Sequence, residues 1–150
     1  MPPFEECKIR VRYADTDQMG VVYYANYLVY FEVGRTEFCR HRGISYAQIE
    51  RDTGSYLIVA EARCRYRRPL RYDQEVIVRT FLQEMRRRTL TFAYQLIEAS
   101  SGTICAEGET VHVVTDQQGR PRSFPDEYRR ILLPEEETTT SNDPSKGKID

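Results

Sequence analysis

The chain has two histidines, His41 and His112, and neither lies within a dozen residues of its acidic motif Asp15-Thr16-Asp17. An imidazole base beside that motif is therefore not offered by the local sequence. No serine sits in a G-x-S-x-G elbow, so the usual serine nucleophile is missing too. The cysteines Cys7, Cys39, Cys64 and Cys105 are scattered and form no C-x-x-C pair, which argues against a zinc site or a redox motif. Free thiols in a reducing cytoplasm are the expected state. No apolar run approaches the length of a membrane span, and the opening MPPFEECKIR carries no signal-peptide apolar region. The net charge of −1 gives no global case for nucleic-acid binding. No internal repeat is present. The stretch from Pro134, PEEETTTSNDPSKGKID, has little apolar content, so residues 134–150 are expected to be a disordered tail.

What remains is one domain over residues 1–133, with clear periodicity. Cys7, Ile9, Val11 and Tyr13 alternate with Lys8, Arg10 and Arg12, which predicts a half-buried strand over 7–13. From Tyr23 to His41 the residues Tyr24, Tyr27, Leu28, Phe31 and Phe38 recur mainly at helical spacing, which predicts one long helix with a buried face. Gly34 lies inside that helix and implies close packing on a sheet. Gly43 is the stop signal. A short helix is expected over 45–52, and strands over 56–66, 75–83, 89–97 and 103–115. A terminal helix is expected over 125–133. Strand, helix, then four strands point to an α+β domain with the helix covering one sheet face.

The chemistry concentrates in residues 13–27, YADTDQMGVVYYANY. An acidic loop runs through a glycine into a helix start. A carboxylate is thereby held near free N–H groups that polarise a carbonyl, an arrangement suited to acyl transfer. The alternative for an Asp in this place is a helix cap or turn residue.

The string YADTDQMGVVYYANYLVYFEVGRTEFCRHRG resembles the 4-hydroxybenzoyl-CoA thioesterase group of the hot-dog acyl-CoA thioesterases, and is similar to YbgC-type enzymes. PLRYDQEVIV resembles the family's second recurring segment, and the similarity covers roughly residues 5 to 133. The resemblance implies a hot-dog fold, an antiparallel sheet of about five strands wrapped around one long helix. It implies hydrolysis of an acyl-CoA to the free acid and CoA. Asp17 matches the catalytic second Asp of the family's D-x-D, acting by direct attack on the thioester or by deprotonating water. Tyr24 stands where YbgC-type enzymes commonly carry His. What it retains is a backbone N–H, which in the family donates to the thioester carbonyl. Tyr13 resembles the Tyr that precedes the D-x-D and is a candidate to orient Asp17, its alternative being a strand-end core aromatic. Arg86, Arg87 and Arg88 match a basic segment that meets CoA phosphates, the alternative being a solvated hairpin turn. No metal or separate cofactor is implied, because CoA is part of the substrate. The family also implies a homo-oligomer, with a dimer of dimers expected and sites between subunits.

Other polar residues are less pointed. Asp15 is expected to shape the loop through its own hydrogen bonds. Asn26 is a candidate contact to the site or a neighbouring subunit, and Tyr27 is expected in the core. Arg63, Arg65, Arg67 and Arg68 are expected on the solvated surface. Glu61 is placed in a central strand, facing either the site or the exposed side, and Glu37 is expected to pair with Arg35 or another partner. Two other functions compete: a non-catalytic acyl-CoA-binding sensor, and a hot-dog dehydratase. The absence of His near Asp17 argues against the dehydratase.

Overall fold

The computed structural model describes residues 2–133. The expected tail from Pro134 lies outside them. Strand β1 spans Phe4–Arg10 and is followed by a 3-10 turn at Tyr13–Asp15. Helix α1 spans Asn26–His41 and α2 Tyr46–Thr53. Strands β2 (Tyr56–Tyr66), β3 (Glu75–Met85), β4 (Thr89–Glu98) and β5 (Thr103–Thr115) follow, then α3 (Asp126–Leu132). All strand pairs are antiparallel, in the order β1-β3-β4-β5-β2. This is the expected hot-dog layout, with two short helices added to the long one.

The long helix forms because one stripe of its surface is apolar. Tyr27, Tyr30, Phe31, Gly34, Phe38 and Cys39 are buried, at three- and four-residue spacing. They meet the inner row of β4, where Leu90, Phe92, Tyr94 and Leu96 are all buried as their alternation predicted. Phe31 stacks on Tyr94 with centroids 4.3 Å apart, and Phe38 meets Phe92 edge-on at 5.7 Å. The buried stripe differs from the expected one. Tyr24 precedes the helix and is 63% exposed, and Leu28 is 39% exposed, because the stripe turns through Tyr30 instead.

Gly34 is a point of close approach between helix and sheet. A Cβ there would run into Thr80 Oγ1 and lie 2.6 Å from Val78 Cγ1. Gly34→Ala should therefore lower the urea midpoint. Overpacking costs about 1–3 kcal/mol, more than the roughly 1 kcal/mol of helix propensity that alanine returns. An unchanged or raised midpoint would show that the sheet yields.

Three features differ notably from expectation. β1 ends at Arg10, and Tyr13 leaves the strand because the backbone and side chain of Arg12 fold onto Asp15 to make the 3-10 turn. The long helix begins at Asn26, not Tyr23, since residues 23–25 form a turn into it. β2 is an edge strand, not a central one. A bulge between Val59 and Glu61 leaves Ala60 unpaired and resets the alternation expected for this strand. Glu61 is exposed there and pairs with Arg63 at 3.3 Å.

Candidate active site

The loop after β1 is built on Asp15. This side chain is 5% exposed and accepts from Arg12 N at 3.1 Å, Arg12 Nη2 at 2.9 Å and the Tyr30 hydroxyl at 2.8 Å. Burial pushes its carboxyl upward, but the Arg12 and Tyr30 hydrogen bonds outweigh that and hold it below the usual carboxylate range. Its backbone oxygen accepts from Tyr23 N and from Asn26 Nδ2, each at 2.9 Å. One buried residue thus ties the loop to the first turn of α1, the loop-shaping part expected of it. Asn26 serves the same tie.

Asp17 sits at the head of a tight reversal. Its N–H donates to Val21 O and its carbonyl accepts from Gly20 N, both at 2.9 Å. Gly20 has φ +78°, a left-handed conformation that favours glycine, which accounts for the Gly in the motif. Asp17 Oδ1 accepts from Met19 N at 2.8 Å and from Val21 N at 3.5 Å. No donor reaches Oδ2 among the described residues. One carboxylate oxygen is therefore held by the loop and the other is left open. Asp17 is a turn residue and an available carboxylate at once.

The start of α1 lies alongside. Tyr23 O accepts from Asn26 N at 2.8 Å, and Tyr24 O from Tyr27 N at 3.4 Å. The N–H groups of Tyr24 and Ala25 donate to no acceptor among the described residues, as the opening of a helix requires. Asp17, Met19, Tyr23, Tyr24, Tyr27 and Tyr66 border a common cleft of about 460 Å³. Arg67, Arg68 and Pro69 complete its wall. A carboxylate, free helix-start N–H groups, an aromatic lining and two cations thus share one opening. A larger hollow of about 820 Å³ lies on the outer sheet face, between Gln83, Gln95, Glu107 and Glu109. Its carboxylates are tied up in ion pairs with Arg63 and Arg67, and no helix start faces it. The smaller cleft is the chemically equipped one. Among the described residues no three His, Cys, Asp or Glu side chains converge as metal ligands would.

The model of the thioesterase-like superfamily matches residues 11–132. The chain belongs to that family. YneP of Bacillus subtilis, provisionally named an acyl-CoA thioesterase, is 34% identical over 127 residues, covering 79% of this chain and 88% of its own. The acyl-CoA thioester hydrolase YbgC of Escherichia coli is 32% identical over 118 residues, covering 78% and 87%. The crystal structure of a hypothetical protein from Thermus thermophilus superposes with a TM-score of 0.80 at 37% identity, covering 87% and 96%.

In this member of the thioesterase-like family, the residues expected in the site divide into three groups. Asp17 and Tyr24 are brought together at the cleft. Tyr13 is not a core aromatic. It is 78% exposed, rests edge-on against Tyr72 at 5.8 Å, and makes no hydrogen bond to Asp17 among the described residues. Arg86, Arg87 and Arg88 occupy the β3–β4 turn, where Arg86 pairs with Glu84 at 3.2 Å and Arg87 donates to Ser123 at 2.9 Å. That turn lies beside Val113, Val114 and the start of β2, whereas the cleft lies at the end of β2. The ten residues of β4 separate the two ends, about 30 Å at strand rise. Within one chain the arginine cluster and Asp17 do not meet.

Arg67 and Arg68 are exposed, as expected of a solvated surface, and they also line the cleft. Arg67 is braced by Glu107 at 2.7 Å. Tyr66 was not singled out, although its place just before the recurring Pro69-Leu70 segment was the available signal. Glu37 pairs with Arg40, not Arg35. Tyr27 is in the core as expected.

Proposed function

We propose that this protein hydrolyses a short-chain or aromatic acyl-CoA to the free acid and CoA, with Asp17 as nucleophile or general base. As a member of its family the chain is a thioester hydrolase. The observation that carries the finer assignment is that the open Asp17 oxygen and Tyr24, whose N–H has no partner among the described residues, border one cleft. A thioester carbonyl that accepts from the Tyr24 N–H has its developing negative charge stabilised by a donor already in place. Asp17 then either attacks the carbonyl carbon to give a mixed anhydride and CoA thiolate, or takes a proton from an attacking water. Tyr23, Tyr24 and Tyr66 supply aromatic walls for the acyl group. The scheme uses no metal and no separate cofactor. We place it in the cytoplasm, where the four free thiols stay reduced. Among the described residues no helix is long and apolar enough to cross a membrane. A panel of benzoyl, short-chain and long-chain CoA thioesters, scored by thiol release, tests the assignment. Binding without release from any of them would favour the sensor alternative.

We further assign the working form to a homo-oligomer, a dimer or a dimer of dimers. Its support is the bare β2 edge, where Ile58 and Val59 are 50% and 46% exposed, and the aromatic rim of the cleft. Only a second chain can bring Arg86, Arg87 and Arg88 near Asp17, across the length of the sheet. Arg87→Ala with Arg88→Ala should raise KM for CoA thioesters about 10-fold, the scale of one charge-assisted bond. The kcat effect should be smaller, since phosphate contacts are alike in ground and transition states. An acyl-pantetheine, which lacks the nucleotide, should not respond. Equal slowing of both substrates would make the cluster structural, and no slowing would make it a solvated turn.

A further inference from the structure

We propose that Tyr66 is a positioning residue for thioester hydrolysis: its hydroxyl clamps the Tyr24 carbonyl and so fixes the backbone that presents the Tyr24 N–H to the substrate. The inference rests on the assignment of that N–H to the thioester carbonyl.

Tyr24 is flanked by two peptide planes. The one that carries its N–H is held by the backbone, through Tyr23 O accepting from Asn26 N at 2.8 Å. The one that carries its carbonyl is held poorly by the helix, since Tyr27 N stands 3.4 Å from Tyr24 O. The Tyr66 hydroxyl reaches the same oxygen at 2.8 Å. A side chain from the sheet therefore supplies the shorter bond at the first turn of α1. Peptide planarity makes this restraint effective: fixing the Tyr24 carbonyl fixes the Ala25 N–H on the same plane and leaves Tyr24 little torsional freedom.

Tyr66 is itself well held. It is the last residue of β2, paired with Ala106, and the next residue donates from Arg67 N to Cys105 O at 2.8 Å. Its ring stands edge-on to the buried Tyr27, with centroids 4.8 Å apart at 83°. Burial, with Cys64 beside it, pushes its phenol up to about 12, so it stays a donor at any working pH. It is nevertheless 46% exposed and lines the cleft, so its hydroxyl is not needed to fill the core. With its proton committed to Tyr24, Tyr66 acts through the backbone and not on the substrate.

Tyr66→Phe keeps the ring and its packing and removes only the clamp. kcat should fall about 10-fold, the scale of one net hydrogen bond, with KM and the thermal midpoint nearly unchanged. A second readout isolates the N–H donors. In the inactive Asp17→Asn background, the carbonyl stretch of a bound thioester is read by Raman difference spectroscopy. Its shift to lower wavenumber should shrink when Tyr66→Phe is added. Tyr66→Leu, which also removes an aromatic wall, should raise KM as well. Unchanged kcat with an unchanged carbonyl shift overturns the inference. So does a joint loss of kcat, KM and thermal stability with no change in the shift, which would make Tyr66 structural. A carbonyl stretch that is not shifted at all on binding to Asp17→Asn alone would instead overturn the underlying assignment of the Tyr24 N–H, and this inference with it.

Discussion

Asp17→Asn should lower kcat by about 100-fold or more, the loss typical of removing a positioned acid–base group, while folding and substrate binding persist. Asparagine retains a carbonyl oxygen where Oδ1 now accepts from Met19 N at 2.8 Å, so the turn through Gly20 keeps its bond. What disappears is the negative charge and basicity of the open oxygen. The substitution thus separates the two roles that Asp17 combines. If Asp17 mattered only as a turn residue, asparagine would serve equally and kcat would be that of the wild type. Asp17→Ala is the complementary variant. It removes the charge and also frees the Met19 N–H, so it should lose stability as well, by about 1 kcal/mol. Steady-state kinetics, with calorimetric titration of a CoA thioester into the asparagine variant, measures both halves. Wild-type kcat in that variant would sink the catalytic assignment.

The parts of this site that periodicity reports were legible in the chain. Leu90, Phe92, Tyr94 and Leu96 alternate because β4 is a central strand with one face on α1, and Gly34 marks the close approach because a side chain there meets Val78 and Thr80. The pattern around Asp15 and Asp17 narrowed the choice to two roles, since short polar side chains before a helix either cap it or act beside it. Sheet order was not legible. The exposed Ile58 and Val59 have the composition of an inner strand, and nothing local marks them as part of an edge. The bulge at Ala60 was equally silent, and the sequence left both faces open for Glu61, which lies on the exposed side.

The place of Arg67 and Arg68 beside the cleft was not legible for a related reason. An arginine run on a strand has the composition of a solvated face, and only the return of the chain through Leu70, which accepts from Val22 N at 2.8 Å, folds it against the Asp17 loop. The separation of Arg86, Arg87 and Arg88 from Asp17 is also a property of topology. The two segments read as parts of one site, yet they stand at opposite ends of β4, so their joint use demands a second subunit.

Acidification should destabilise the fold through His112, by about 2–3 kcal/mol between pH 7 and pH 4.5. This residue is 1% exposed on β5, with its ring edge-on to Phe92 at 5.5 Å. Its Nε2 lies 2.8 Å from Thr110 Oγ1, which in turn lies 2.5 Å from the Tyr94 hydroxyl. Nδ1 has no partner among the described residues, so a second proton would be buried without an acceptor there. Burial, and next the charge of Arg35, push the imidazole down to about 4, against an ordinary value of 6.5. Between those two values the unfolded chain binds a proton that the native protein refuses. Stability is therefore full above about pH 6.5 and is lost as pH falls toward 4. Asp15 does not share this window, because its carboxyl is held below the usual range and titrates at lower pH. His112→Gln keeps a hydrogen-bonding group for Thr110 but cannot titrate. Urea denaturation of both proteins across this range gives the test, since the remaining carboxylates act equally on each and cancel in the difference. The wild type should lose stability more steeply than the variant. Parallel pH profiles would mean that His112 takes up its proton in the native state without cost, and that the space around Nδ1 is wet.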